Sequence, residues 1–159
     1  MSRDQIINLA ASQVGTKESP PDSNYTKYGQ WFGINGQKWC AAFVSWVYYH
    51  AGYSLGSIDT ELGYSNCESG YRHWVKTEEL TEDPQPGDIV LFDWDHDGIC
   101  DHTGIFSKWN DEKATLQSYE GNTSTGSNSN GGEVMLRIRN KTSVKAFVSP
   151  KILNSYINT

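Results

Sequence analysis

The sequence has no stretch of about 18 apolar residues, so its pattern offers no segment that spans a bilayer. It also lacks the marks of a secretory signal. The opening MSRDQIINLAASQVG has one Arg, and its apolar stretch is broken at Asn8. Basic residues are in deficit, with 13 Lys and Arg against 19 Asp and Glu and a formal net charge of −6. Without a basic stripe, nucleic acid is not an expected partner, and an anionic membrane surface is an equally poor one. Cysteine is scarce: Cys40, Cys67 and Cys100 form an odd set with no CxxC pair. At least one thiol is therefore free unless chains pair, and a structural zinc site is not expected. No internal repeat is visible.

What is present fits one domain spanning residues 1–159, with its core between about residues 3 and 149. Aromatics reach 13%, including six Trp and nine Tyr. That richness suits a core with Tyr-lined loops, or a groove that stacks on a flat or sugar-like ligand. Ile6, Leu9, Ala10 and Val14 give a first helix one apolar face, and Gly15 suits its end. Residues 16–38, rich in Gly, Pro, Ser, Asn and aromatics, predict an irregular loop. WCAAFVSWVYYHAG, residues 39–52, is apolar almost all round and too long for a typical strand, so it predicts a central buried helix. Residues 53–67 read as loop, and a third short helix is expected from Ser69.

The second half changes character. Asp88–Phe92, Ile99–Ser107, Thr115–Tyr119, Val134–Ile138 and Val144–Val148 have the alternating or β-branched look of strands. Asn122–Gly132 is a polar loop, and a short tail follows Pro150. Helices first and strands after predict an α+β fold, with the buried helix packed on an antiparallel sheet.

Cys40 stands at the start of that helix, where unsatisfied N–H groups favour a thiolate and can bind an oxyanion. The competing reading makes it the helix's first core residue. A nucleophilic thiol needs a base. His50 lies ten residues along the same helix, about 15 Å away at 1.5 Å per residue, and cannot reach it. His73 reads as a surface residue and His96 lies in an acidic turn. His102, in DHTGIF at a strand start, can face a helix N-terminus across a cleft. Its orienting partner can come from Glu120 or Asn122, which end the next strand and so lie beside His102 in an antiparallel pair. Asp101 competes, but as a sequence neighbour it points to the opposite face.

Residues 36–44 (GQKWCAAFV), 86–90 (PGDIV), 101–105 (DHTGI) and 120–122 (EGN), in that order, resemble the CHAP family of cysteine- and histidine-dependent amidohydrolases and peptidases. The resemblance runs from the first helix to about Pro150, and the VGTKESP…KYGQWFG stretch looks like that of CHAP lysins of Gram-positive bacteria and their phages. It implies a papain-like fold and cleavage of an amide bond in bacterial peptidoglycan, as N-acetylmuramoyl-L-alanine amidase or as stem or cross-bridge endopeptidase. The family's Cys and His map onto Cys40 and His102, its acidic member onto Glu120 and its Asn onto Asn122. A second oxyanion donor is expected among residues 34–38, with Gln37 the choice. The implied enzyme is a monomer that reaches the wall after release, through phage lysis or a secretion system. The competing readings are a wall-binding module without catalysis and a cysteine enzyme acting on proteins.

DWDHDGICD places Asp93, Asp95, Asp97 and Asp101 first, third, fifth and ninth, with Gly98 sixth, like the first nine positions of an EF-hand loop. The Ile99 carbonyl would be the seventh-position ligand, and Gly104 stands where the bidentate Glu belongs. Either the loop binds Ca²⁺ or it is a Gly-containing turn with solvated carboxylates. Cys100 is expected to pack on the sheet and loop-borne Cys67 to be inert, while Trp31, Phe32, Trp39 and Tyr119 flank the expected cleft.

Overall fold

A computed structural model describes residues 2–123 and 131–155. Four helices come first: α1 (Ser2–Ser12), α2 (Lys27–Phe32), α3 (Cys40–His50) and α4 (Cys67–Lys76). Six strands follow: β1 (Leu80–Thr81), β2 (Ile89–Phe92), β3 (His102–Asn110), β4 (Thr115–Thr123), β5 (Glu133–Asn140) and β6 (Val144–Val148). A last helix, α5 (Lys151–Ser155), closes the described chain. The α+β expectation holds. No helix among the described residues is long and apolar enough to cross a membrane.

The strands form one antiparallel sheet in the order β1-β6-β2-β3-β4-β5. Strands β2 to β5 run as a meander, and β6 returns to the free side of β2. Helix α3 lies over β3 and β4 and carries α1 and α2 on its other sides. Its apolar composition all round follows from that position, since only Trp46, Tyr49 and His50 escape burial. Between helices and sheet lies a core that includes Ile6, Phe43, Val47, Ile89, Leu91, Ile105 and Val148. Val90, Phe92, Phe106, Leu116 and Phe147 alternate with these residues and form a second cluster. Each fully buried aliphatic or aromatic side chain contributes about 1.5–3 kcal/mol of transfer free energy.

Several expectations need correction. The stretch 16–38 contains α2, a helix despite its Gly and aromatics. Thr26 caps it by accepting the Gly29 N–H, Gly33 ends it at φ +92°, and Tyr28 and Phe32 are buried in the core. Cys67 is not loop-borne but opens α4, which Asn66 caps through the N–H groups of Glu68 and Ser69. The strand expected over Ile99–Ser107 starts at His102, because residues 93–101 fold into a turn built on the Asp side chains. The tail after Pro150 forms α5, anchored by buried Leu153. Of the polar loop expected over Asn122–Gly132, residues 124–130 lie outside the described residues, while Asn122 and Thr123 complete β4.

Two glycines set how closely the layers approach. A Cβ on Gly121 would lie 2.7 Å from Phe43 Cβ and 2.8 Å from Trp39 Cζ3, so β4 touches the start of α3 only because none is there. A Cβ on Gly104 would lie 2.7 Å from Glu120 Cγ and 2.8 Å from the Tyr119 carbonyl oxygen, so Gly104 makes room for Glu120 to lie across β3. Gly121→Ala should therefore cost about 1–3 kcal/mol through overpacking. Urea unfolding measures this, and an unchanged midpoint would show that the contact between α3 and β4 is slack.

Candidate active site

The first turn of α3 is left uncapped. Trp39 occupies the N-cap position with no side-chain hydrogen bond to the helix, so the leading N–H groups are free to act on Cys40. Trp39 itself is held firmly. Its indole N–H donates to Glu18 Oε2 at 2.9 Å, and its ring stacks on Tyr28 at 5.6 Å. The Tyr28 hydroxyl in turn donates to Gln13 Oε1 at 2.8 Å. The residue before Cys40 is thus fixed from three segments of chain.

The β3 side brings up His102, which is fully buried, whereas Cys40 retains 7% exposure. The imidazole stacks beside Phe92 and Trp94, at centroid distances of 6.0 and 5.8 Å. Its Nε2 donates to Glu120 Oε1 at 2.9 Å. Its Nδ1 is buried and makes no well-formed hydrogen bond among the described residues. With Nε2 committed to Glu120, Nδ1 is the nitrogen left for the Cys40 thiol. The two groups approach closely enough to shift each other's ionisation, although their geometry falls short of an ordinary hydrogen bond. Thr103 adds a backbone N–H towards the Cys40 sulfur, as does Ala41. Thr103 is fixed by donating its hydroxyl to the Val90 carbonyl at 2.9 Å and by Tyr64 at 2.7 Å.

Glu120 is fully buried. Besides His102 it accepts Arg139 Nη2 on Oε1 at 2.5 Å and Arg139 Nε on Oε2 at 3.0 Å, with the Ser118 hydroxyl also on Oε2. Arg139 is the site residue that sequence reasoning missed. It lies on β5, only 6% exposed, with its guanidinium 4.7 Å from the centre of the Trp94 ring. A period-two reading of VMLRIRN places Arg139 on the face of Met135, so alternation alone carries a signal, but nothing in it singles out Glu120.

Ionisation follows from these contacts. Burial alone would raise the Cys40 pKa, yet the His102 charge and the hydrogen-bond donors around the sulfur bring it below the ordinary thiol value. For His102, burial works against the charged form, but the Cys40 thiolate and Glu120 outweigh it and lift the pKa to about 9. Glu120 would be raised by burial, but His102 and then Arg139 pull it down to about 2. Cys67 behaves oppositely: its hydrogen bond with Cys100, then burial, push its pKa up. Of these two thiols, only Cys40 is set up to ionise.

The remaining expected residues lie as follows. Asn122 is buried at φ +57°, within the break in the β4–β5 register between Glu120 and Thr123, and its Oδ1 accepts the Gly132 N–H at 3.3 Å. Asp101 Oδ2 accepts the Trp94 N–H at 2.8 Å. Gln37 is exposed, with its N–H bonded to the Ile34 carbonyl at 3.0 Å. Asp93, Asp95, Asp97 and Asp101 each bring a carboxylate oxygen to within 4.8 Å of the others. Such an all-oxygen set suits a hard cation. Burial, then the Asp93 side chain and the charges of Asp101 and Asp97, raise the Asp95 pKa. Ile99 is 53% exposed and its N–H donates to Asp97 Oδ1 at 2.8 Å. Lys145 Nζ donates to the Gly98 carbonyl at 2.6 Å, so one cation already stands beside the loop.

A helix whose uncapped N-terminus carries a Cys, laid on an antiparallel sheet that presents a buried His–Glu pair, defines the class: an α+β protein with a cysteine–histidine site. Within that class, the CHAP domain model matches residues 32–122, more than half of the chain, and the protein belongs to this family. The family is typically hydrolytic, of amidase or peptidase type. No curated protein matches this chain.

The ion pairs of Glu120 make acid stability a test of the geometry. Its pKa of about 2 in the fold compares with about 4.3 for an unfolded Glu. The stability this adds is complete above the unfolded value and is lost as pH falls through about 2. The stability gap between wild type and Glu120→Gln should therefore narrow between about pH 5 and pH 2 in denaturant unfolding. A gap that does not change with pH would show that Glu120 is not ion-paired.

Proposed function

We propose that this protein hydrolyses an amide bond of bacterial peptidoglycan, with Cys40 as nucleophile, His102 as its base and Glu120 orienting His102. The observation that carries this is the placement of Cys40 at an uncapped helix N-terminus, beside a buried imidazole whose other nitrogen is held by a buried carboxylate, surroundings that favour the thiolate. The Cys40 thiolate attacks the carbonyl carbon, and the N–H groups at the start of α3 receive the developing oxyanion. His102 then protonates the leaving amine from Nδ1, and the C–N bond breaks to leave a thioester. Water, losing a proton to His102, hydrolyses the thioester and restores the thiolate. Asn122, beside Glu120 in β4, completes the set that the family pattern implies.

Peptidoglycan as substrate is supported by the family's hydrolytic theme and by the likeness of residues 14–33 to CHAP lysins of Gram-positive bacteria and their phages. In this reading the enzyme meets the wall after release, either at phage lysis or by secretion into a rival cell. The acidic loop is where a calcium ion would sit, held by Asp93, Asp95, Asp97 and Asp101. Bound there, it would relieve the crowding of carboxylates and steady the turn that carries Trp94 against His102. It would take no part in bond cleavage. Added calcium should then raise the thermal midpoint of wild type and leave Asp95→Asn/Asp97→Asn unmoved; equal shifts in both would remove the ion from this loop.

The decisive assay digests purified peptidoglycan with wild type and with Cys40→Ala and identifies the products by mass spectrometry. Cys40→Ala should release products at least roughly 10³-fold more slowly. Intact stem peptides with a free alanine amine mark an amidase, and cuts inside the stem or cross-bridge mark an endopeptidase. Binding to the wall without release by either protein would favour a wall-binding module instead.

A further inference from the structure

We infer that Arg139 is a positioning residue of this site: its guanidinium clamps both oxygens of Glu120, and so fixes the direction in which Glu120 holds His102 towards Cys40. The inference rests on Cys40 as nucleophile and goes beyond it by adding a residue from a separate strand. Strand β5 carries Arg139 opposite Leu116 of β4, and the side chain runs along the sheet to reach Glu120. There Nη2 takes Oε1 and Nε takes Oε2, a two-point fork that leaves the carboxylate plane no free rotation. Oε1 is also the atom that accepts His102 Nε2, so the fork and the imidazole share one oxygen.

Arg139 is itself constrained on two further sides. Nη2 also donates to Thr123 Oγ1 at 3.2 Å, and the guanidinium lies over Trp94, whose ring stacks in turn beside His102. The route from Arg139 to the imidazole therefore runs through both Glu120 and Trp94. A lysine could supply the charge but only a single point of contact, and would leave the carboxylate free to turn. A role confined to stability would require only that the buried carboxylate be neutralised, whatever its orientation.

The test is a double-mutant cycle over Arg139→Met, Glu120→Gln and the pair, with Arg139→Lys as a second probe of position 139. Two rates are read at one neutral pH: release of product from purified peptidoglycan, and alkylation of Cys40 by iodoacetamide. Mass spectrometry of the Cys40 peptide keeps Cys67 and Cys100 out of the count. Arg139→Met and Arg139→Lys should each slow both rates by about tenfold or more, and Arg139→Met should add less than about twofold in the Glu120→Gln background. If Arg139→Met does not fold, Arg139→Lys decides on the same readouts. A folded Arg139 variant with wild-type alkylation, or losses that multiply in the double variant, overturns the inference. A wild type that leaves peptidoglycan intact while alkylation still follows the cycle sinks the substrate reading and supports the clamp.

Discussion

A carboxylate cannot sit wholly out of water unless its charge is met, and Glu120 is fully buried. That single requirement organises the candidate site. His102 meets the charge from β3, Arg139 meets it from β5, and Ser118 adds a hydroxyl from within β4. Three adjacent strands are thereby tied at one point. Breaking such a pair from one side typically costs about 3–5 kcal/mol, because the remaining charge stays buried. The arrangement specifies the register and pre-organises the imidazole at once.

The helix layer is built to meet that point. Helix α3 is apolar enough to be buried nearly all round, so it tolerates close contact with β4, and Gly121 lets the two touch at Trp39 and Phe43. The same approach delivers Cys40 to the imidazole. Because Trp39 does not cap the helix, the leading N–H groups remain available to the sulfur and to an oxyanion. Packing and chemistry thus share residues: Gly104 makes space for Glu120, Thr103 ties Tyr64 and Val90 while offering its N–H to Cys40, and Trp94 bridges Arg139 and His102.

What could be read from the sequence was whatever had a short period or a local cause. Helix α3 was legible from its length and continuous apolar run, and β2 and β6 from their β-branched residues. The nearness of His102 and Glu120 was legible because antiparallel neighbours bring a strand's start beside its partner's end. Helix α2 was not, because KYGQWF holds its shape through a cap at Thr26, a stop at Gly33 and burial of Tyr28 and Phe32 rather than through propensity. The late start of β3 was hidden because Asp93 and Asp101 bend residues 93–101 with side-chain bonds to the backbone, which strand patterning does not record. Arg139 escaped because its partner sits on the next strand and four positions out of register, a distance that only the folded sheet closes.

The proposed chemistry requires the Cys40 sulfur to be the nucleophile that attacks the scissile carbonyl. Incubating the protein with soluble wall fragments, quenching in acid and mapping the protein's peptides by mass spectrometry tests this directly. The expected result is a transient acyl mass confined to the Cys40 peptide, and no turnover once Cys40 has been alkylated. Fragments cleaved at an undiminished rate by the alkylated protein, or an acyl group carried on another residue, would contradict it.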